Sequence, residues 1–285
     1  MPVAPPELAL ESVALERGDV RILLVRSRLT DPHERRAPVL FLHGFPDRHT
    51  TWSRQLEGLA HMHPVAAFDQ RGVGGSSAPA GPDGYRLARH LEAIDAAIDH
   101  LAGPDGQVHL VGHDWGGVIG WFYAGDPTRA RRLRSYTAIA SPHPMAVRSL
   151  VRDRLQRHRL ADLGLLAEQL RRSWYIFLFQ IPRLPELYLN RDPLGLWRRV
   201  HRAGGLDRDD PELRDIDERL ARSTLLPPLA LYRQLLGGLV DSPRTIVVPV
   251  CLIVPLRDLA LTPELYDSVA EFVPDLERHR IDNNH

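Results

Sequence analysis

The stretch Gly112-His113-Asp114-Trp115-Gly116-Gly117 sets a carboxylate between glycines. It follows the apolar run Gln107-Val108-His109-Leu110-Val111 and precedes Val118-Ile119-Gly120-Trp121-Phe122-Tyr123. The first run reads as a buried strand and the second as a helix. Asp114 therefore occupies the tip of a strand-to-helix corner with the pattern Gly-x-nucleophile-x-Gly, a turn that presents a reactive side chain. An unperturbed aspartate has a pKa of about 3.9 and is ionised at neutral pH. It can attack a saturated carbon and form an ester without a base to activate it. A serine hydroxyl in the same place cannot do so unaided.

An ester on an aspartate must be hydrolysed to complete a cycle, and two downstream residues suit that task. Asp258, in Pro255-Leu256-Arg257-Asp258, follows an apolar strand. His285 follows the final one. Nucleophile, acid and histidine then run in the order Asp114, Asp258, His285, with the acid expected to orient the imidazole and stabilise its cation. His43-Gly44-Phe45-Pro46-Asp47 leaves another apolar strand sharply. The amides of Phe45 and Trp115 are the candidates to hold a developing oxyanion. The glycine-rich stretch 69–77 (Asp69-Gln70-Arg71-Gly72-Val73-Gly74-Gly75-Ser76-Ser77) lacks the lysine of a phosphate-binding loop and reads as structural support beside the site.

These groups require a frame. Residues 8–28 alternate about Arg17-Gly18-Asp19 and predict a β-hairpin. Pro38–Leu42 and Val65–Phe68 are continuous apolar runs, as in parallel strands buried on both faces. Helices are predicted over 52–61 and 85–101, and a further strand over 133–139. Strands alternating with helices imply an α/β fold with a mostly parallel sheet. The pattern breaks at Ser141-Pro142-His143-Pro144, and no strand is predicted from there to about Gly238. A strand returns over 245–254, then a helix over 263–272 and a last strand over 277–281. The predicted organisation is a first core part, 1–141, a helical lid, 142–240, and a second core part, 241–285.

Composition narrows the function classes. Thirty-six basic and 36 acidic residues cancel, which gives no nucleic-acid footprint. All the basic residues are arginine. The single cysteine, Cys251, cannot form an internal disulfide and is expected in a buried strand. The pair His61 and His63 has no third ligand in view, so no metal site is expected. No secretory signal is apparent at the start and no apolar run approaches a membrane span, so the expected location is cytoplasmic. The arginine- and leucine-rich stretch of the lid also suits a helix lying on a membrane surface. A lid that closes over a pocket needs the same apolar faces, and no stable membrane insertion is expected. Oligomeric state is not readable.

Gly112-His113-Asp114-Trp115-Gly116-Gly117, His43-Gly44-Phe45-Pro46 and Asp69-x-Arg71-Gly72-x-Gly74 together resemble the α/β-hydrolase-fold epoxide hydrolases, over nearly the whole chain. The corner alone also resembles haloalkane and haloacetate dehalogenases, which share the aspartate. The resemblance implies the α/β-hydrolase fold, with an N-terminal antiparallel hairpin and an inserted helical lid. It also implies hydrolysis of a small hydrophobic epoxide to a vicinal diol, with no cofactor.

Epoxide opening expels an alkoxide that needs a proton, and the family supplies it from two lid tyrosines. By their flanks these match Tyr175, before Phe-Gln-x-Pro, and Tyr232, before Arg233. Phe45 stands where many dehalogenases carry a halide-binding side chain. His43, His143 and Trp174 are expected to line the substrate site, and Leu165, Leu166, Phe177 and Phe179 to add apolar lining. The family continues past this histidine into a further helix, which the second core part is expected to lack here. As the last residue, His285 would also carry a carboxylate that favours its protonated ring, the wrong state for a base. Dehalogenation through Asp114, or a non-catalytic binding module on the same fold, are the alternative readings.

Overall fold

The computed structural model describes residues 10–27, 36–238 and 245–284. Eight strands form one sheet in the order β1-β2-β4-β3-β5-β6-β7-β8. They are β1 (Leu10–Arg17), β2 (Val20–Ser27), β3 (Val39–Leu42), β4 (Val65–Phe68), β5 (Val108–His113), β6 (Leu133–Ile139), β7 (Val250–Pro255) and β8 (Leu276–Ile281). The β1–β2 hairpin is antiparallel and turns at Gly18 as predicted; β2 also joins β4 antiparallel, and every later pairing is parallel. All four residues of β3 and all four of β4 are buried, because helices cover both faces of the sheet there.

Several boundaries differ from the sequence reading. The segment 52–61 begins as a 3₁₀ turn, His49–Trp52, before α1 (Ser53–Leu59). The segment 85–101 is α2 (Leu87–Ala102), preceded by a 3₁₀ turn. β7 starts at Val250 rather than at residue 245; Pro249 has no N–H to give to a ladder. Cys251 is on β7 but only half-buried. The predicted helix 263–272 is a 3₁₀ helix, Pro263–Glu271.

After β5, α3 (Trp115–Gly125) packs back on the sheet and a short helix, α4 (Pro127–Ala130), leads to β6. The chain from Pro144 to Gly238 is helical: α5 (Pro144–Arg157), α6 (Leu160–Arg172), α7 (Trp174–Gln180), α8 (Leu184–Leu189), α9 (Pro193–Ala203), α10 (Pro211–Asp215), α11 (Glu218–Leu225) and α12 (Pro228–Gly238). The predicted boundary at residue 240 lies outside the described residues. Among the described residues, no helix is long and apolar enough to cross a membrane.

Among the polar contacts that fasten the insertion to the core, two sets lie near the loops after β3 and β7. Gln169 of α6 donates to the Ala260 carbonyl at 2.8 Å and accepts from the Thr262 amide at 2.9 Å, while Arg172 donates to the Asp258 carbonyl at 2.6 Å. At the other end, Nε2 of His201 on α9 lies 2.8 Å from Oδ1 of Asp47, and the Trp197 indole donates to the Pro46 carbonyl at 3.0 Å. Burial opposes charge on both members of the His201–Asp47 pair. Their mutual interaction overrides it: the imidazole is held above its ordinary pKa, and Asp47, which also faces His113, well below its own.

The linkage has a defined sign. The His201 contribution is complete below about pH 6.5 and is lost as pH rises through the raised folded value. The Asp47 contribution is present above about pH 4 and is lost as pH falls through the depressed one. The pair therefore stabilises most between those limits. Replacing His201 by Gln is expected to cost roughly 3 kcal/mol at pH 6, the scale for breaking a buried pair, and less at pH 9. Urea unfolding of both proteins at the two pH values measures this; an equal loss at both would show that His201 is held neutral.

Candidate active site

Asp114 is the last residue before α3 and has φ 48°, a left-handed value that a non-glycine residue holds only when its surroundings fix it. Two close approaches do so. A Cβ on Gly116 would lie 2.4 Å from the Leu42 carbonyl oxygen, so β3 and the first turn of α3 come together only without a side chain. A Cβ on Gly44 would lie 2.5 Å from the Cβ of Asp114 itself. The Asp114 amide donates to the Ile139 carbonyl at 3.1 Å, and its own carbonyl accepts from Val118 at 2.9 Å. The side chain, half-buried, stays accessible at the carboxyl ends of β3, β5 and β6.

The Phe45 amide donates to Oδ2 of Asp114 at 2.8 Å. Trp115 opens α3, where the first amides have no partner within the helix. The loop that carries Phe45 is held from behind. The Gln70 amide donates to Nε2 of His43 at 3.0 Å, which leaves Nδ1 to donate to the Gly44 carbonyl at 2.8 Å. Burial lowers the pKa of His43 and keeps it neutral, as that pattern requires. The stretch 69–77 supports this loop, as read from the sequence: Asp69 accepts from the His49 amide at 2.7 Å and the Gly75 amide at 2.7 Å. His43 is thus buried beneath the Phe45 loop, which it shapes, and it lines a small pocket with Gly44, Phe45 and Trp115.

Five rings stand beside Asp114. Tyr232 is central, edge-on to Trp115 at 4.5 Å, Phe179 at 5.0 Å and Phe45 at 5.5 Å between ring centroids. Tyr175 joins at 6.2 Å from Tyr232 and 5.6 Å from Phe179. Each edge-to-face pair contributes about 0.5–1.5 kcal/mol beyond burial, so the cluster locks α7 and α12 over the corner. The Tyr232 hydroxyl faces Tyr175 and the Trp115 indole. Burial and the negative charge of Asp114 push both phenols above their ordinary pKa, Tyr232 with a further contribution from Tyr175. Both are therefore protonated donors at neutral pH.

Asp258 is buried, and its Oδ1 accepts from the amides of Ala260 at 2.7 Å and Leu261 at 3.0 Å. That turn fixes the carboxylate at the end of β7. His285 lies outside the described residues. The chain just before it runs beside the Asp258 loop, where the Arg257 amide donates to the Asn283 carbonyl at 3.0 Å.

Three residues expected to line the site, His143, Trp174 and Phe177, are placed elsewhere. His143 is buried as the N-cap of α5, its Nδ1 accepting from the Met145 amide at 3.2 Å and its ring stacked on Phe272 at 5.1 Å. Burial lowers its pKa to about 4. Pro144 follows it in the first turn of α5, and the histidine caps that start. Trp174 is 59% exposed and Phe177 58%, so both face solvent rather than the ring cluster. Phe179 is buried within it, and Leu165 and Leu166 are half-buried. Among the described residues no group of three or more His, Cys, Asp or Glu is arranged to hold a metal ion.

Tyr266, which the sequence reading passed over, belongs to the site's surroundings. It is buried on the 3₁₀ helix, and burial with the charges of Asp258 and Asp114 raises its pKa well above the ordinary value. Its hydroxyl has no hydrogen-bond partner among the described residues. Spacing from Pro263 could not reveal it, because its position depends on where the Asp258 loop folds. An unpaired buried hydroxyl costs about 1–3 kcal/mol, so Tyr266→Phe is expected to be neutral or to stabilise by about 1 kcal/mol. A loss above about 2 kcal/mol in thermal unfolding would show that the hydroxyl is engaged.

A family model for the alpha/beta hydrolase fold matches residues 37–162. The probable oxidoreductase EphD of Mycobacterium tuberculosis is 32% identical over 251 residues, 87% of this chain and 42% of that protein, so the chain spans less than half of that relative. Epoxide hydrolase 3 of Xenopus tropicalis is 30% identical over 85% of this chain and 66% of its own length. The AB hydrolase superfamily protein YfhM of Bacillus subtilis is 30% identical over 83% of this chain and 79% of its own. Among solved structures, one of the epoxide hydrolases from metagenomes of hot environments superposes with a TM-score of 0.72 at 27% identity, covering 98% of this chain and 93% of that one.

Proposed function

The chain belongs to the α/β-hydrolase superfamily, and from that premise we propose that it hydrolyses a small apolar epoxide to a vicinal diol through an ester on Asp114. The observation that carries this reading is the pairing of a corner carboxylate with two protonated phenols in one ring cluster, the half-buried Tyr175 and the buried Tyr232, both raised in pKa by burial and by its charge. Relatives named as epoxide hydrolases support the substrate class.

In the first step an Asp114 oxygen attacks an epoxide carbon, the carbon–oxygen bond of the ring breaks, and the released alkoxide takes a proton from one of the two phenols. A phenol suits the task because it is protonated at pH 7 yet gives its proton to an alkoxide. The Phe45 amide holds the second carboxylate oxygen and aligns the first. In the second step His285, oriented by Asp258, takes a proton from water. The resulting hydroxide attacks the ester carbonyl, and the oxyanion is held by the amides of Phe45 and Trp115. Collapse leaves Asp114 as the acid and the diol's second oxygen as an alkoxide, which takes the imidazolium proton; the Asp114 proton then returns to the tyrosinate. Halide loss would need no proton donor, so the two phenols favour the epoxide. The helices from α5 to α12 act in this reading as a lid.

Asp114→Ala is expected to abolish diol formation from a styrene oxide-type epoxide. Tyr175→Phe with Tyr232→Phe together should lower ring opening by about 10² to 10⁴, the range of general acid catalysis. His285→Gln should accumulate an adduct of the epoxide's mass on Asp114, read by intact-mass and peptide mass spectrometry. Unchanged turnover in the double tyrosine variant would reject the phenols' role. Halide release from haloalkanes with no diol from epoxides would transfer the reading to dehalogenation. No adduct and no substrate loss would leave a binding module.

A further inference from the structure

The insertion exposes an ordered apolar stripe that the chemistry above does not use. Leu160, Leu163, Leu170, Trp174, Phe177 and Ile181 are all exposed, with Ala167 between them. The steps along 160, 163, 167, 170, 174, 177 and 181 alternate three and four residues, the period that keeps one seam of a helix facing one partner. The helix breaks at Ser173 (φ −92°, ψ 10°, outside helical values), and the stripe continues on α7, where Trp174, Phe177 and Ile181 are again exposed. None of the residues of α6 is buried, so this helix leans on the molecule with one flank only. An apolar seam of this length on a water-soluble surface marks an interaction site.

The surrounding charge selects the partner. Between residues 144 and 190 there are eight arginines and four carboxylates, in a chain whose total charge is zero. Each of the four carboxylates already pairs with an arginine: Asp153 with Arg152, Asp162 with Arg154, Glu168 with Arg171 and Arg172, and Glu186 with Arg233. Arg148, Arg157, Arg159 and Arg183 are exposed and make no ion pair among the described residues. Arg157 and Arg159 stand at the start of the seam and Arg183 just past its end. The positions that flank the seam carry Arg159 and Arg171 and no Asp or Glu. Arg171 is neutralised by Glu168, while Arg159 would meet no free acid on a second copy packed on this face, because the four carboxylates of the segment are already paired.

We propose that the α6–α7 face is a docking surface for an anionic lipid membrane, with the seam seated among the acyl-chain ends of the headgroup layer and the arginines on lipid phosphates. The composition is that of an interfacial helix, apolar on one side, basic at its margins, with a tryptophan at the depth aromatic residues favour. The face also has a functional direction. Within one turn of α7, Trp174 and Phe177 point to solvent while Tyr175 joins the ring cluster beside Asp114. A docked molecule would take an apolar epoxide from the lipid phase past α7. Docking stands on the seam and the charges alone; only this delivery step rests on the function proposed above.

The test uses the intact protein with vesicles of phosphatidylcholine alone and of phosphatidylcholine with phosphatidylglycerol at about three to one. Trp174 is the reporter, because Trp52, Trp115, Trp121 and Trp197 are buried. Cosedimentation and a blue shift of tryptophan emission are expected on the anionic vesicles, at least about tenfold stronger than on the neutral ones and weakened by salt. Arg157→Glu with Arg159→Glu, and separately Leu163→Ser with Leu170→Ser, should each lower partitioning by about tenfold or more, with thermal unfolding and turnover of a water-soluble epoxide unchanged. Absence of binding to anionic vesicles overturns the proposal. So does binding that neither pair of substitutions reduces, or a dimer in sedimentation velocity that Leu163→Ser with Leu170→Ser dissolves. Vesicle binding without epoxide turnover would remove the proposed function and keep the docking surface; turnover without vesicle binding would do the reverse.

Discussion

Everything at the candidate site depends on how closely two pieces of backbone approach behind Asp114. The first turn of α3 lies against the end of β3, and the loop after β3 lies against Asp114 itself. These approaches hold the aspartate in a left-handed conformation that costs of order 1–3 kcal/mol. They also bring the Phe45 amide within 2.8 Å of the carboxylate. The strain and the hydrogen bond have one origin, and neither survives a side chain at Gly44 or Gly116. The sheet order puts β3 and β6 on the flanks of β5, so the corner rests on a strand paired along both edges.

Burial is used with opposite results around that corner. It raises the pKa of Tyr175, Tyr232 and Tyr266 and keeps them as donors. It lowers that of His43 and His143 and keeps them neutral, one supporting a loop and the other capping a helix. Only where a carboxylate lies within hydrogen-bond reach does a buried histidine move the other way, as His201 does against Asp47. Desolvation alone therefore does not mark a histidine as catalytic; its partners decide.

That rule explains what could be read from the sequence and what could not. The continuous apolar runs of β3 and β4, the hairpin about Gly18 and the glycine spacing around Asp114 are local patterns with few alternative solutions, and each appeared in the fold as expected. Tyr175 and Tyr232 were singled out by their flanking residues, and the fold brings the two rings into one cluster although they are far apart in the chain. His143 and Trp174 sit away from the ring cluster, which the sequence did not reveal because residue type and neighbourhood do not say which way a side chain points. The cap of α5 claims the first, and solvent the second. Tyr266 and the His201–Asp47 pair were missed because each depends on contacts between distant segments that no short pattern encodes.

The insertion joins these parts. It is fastened by Gln169 and Arg172 to the loop that carries Asp258, and by His201 and Trp197 to the loop that carries Phe45. Both anchors thus end within a few residues of groups assigned to the second half of the proposed reaction, while the phenols assigned to the first half ride on the insertion itself. A displacement of α6 or α9 would be felt by acid, oxyanion donor and proton donors together. The exposed seam lies on α6, the helix that also holds the Asp258 loop, and on α7, the helix that carries Tyr175. A surface bound there presses on the elements that set the site's geometry, so binding outside and alignment inside share one mechanical path.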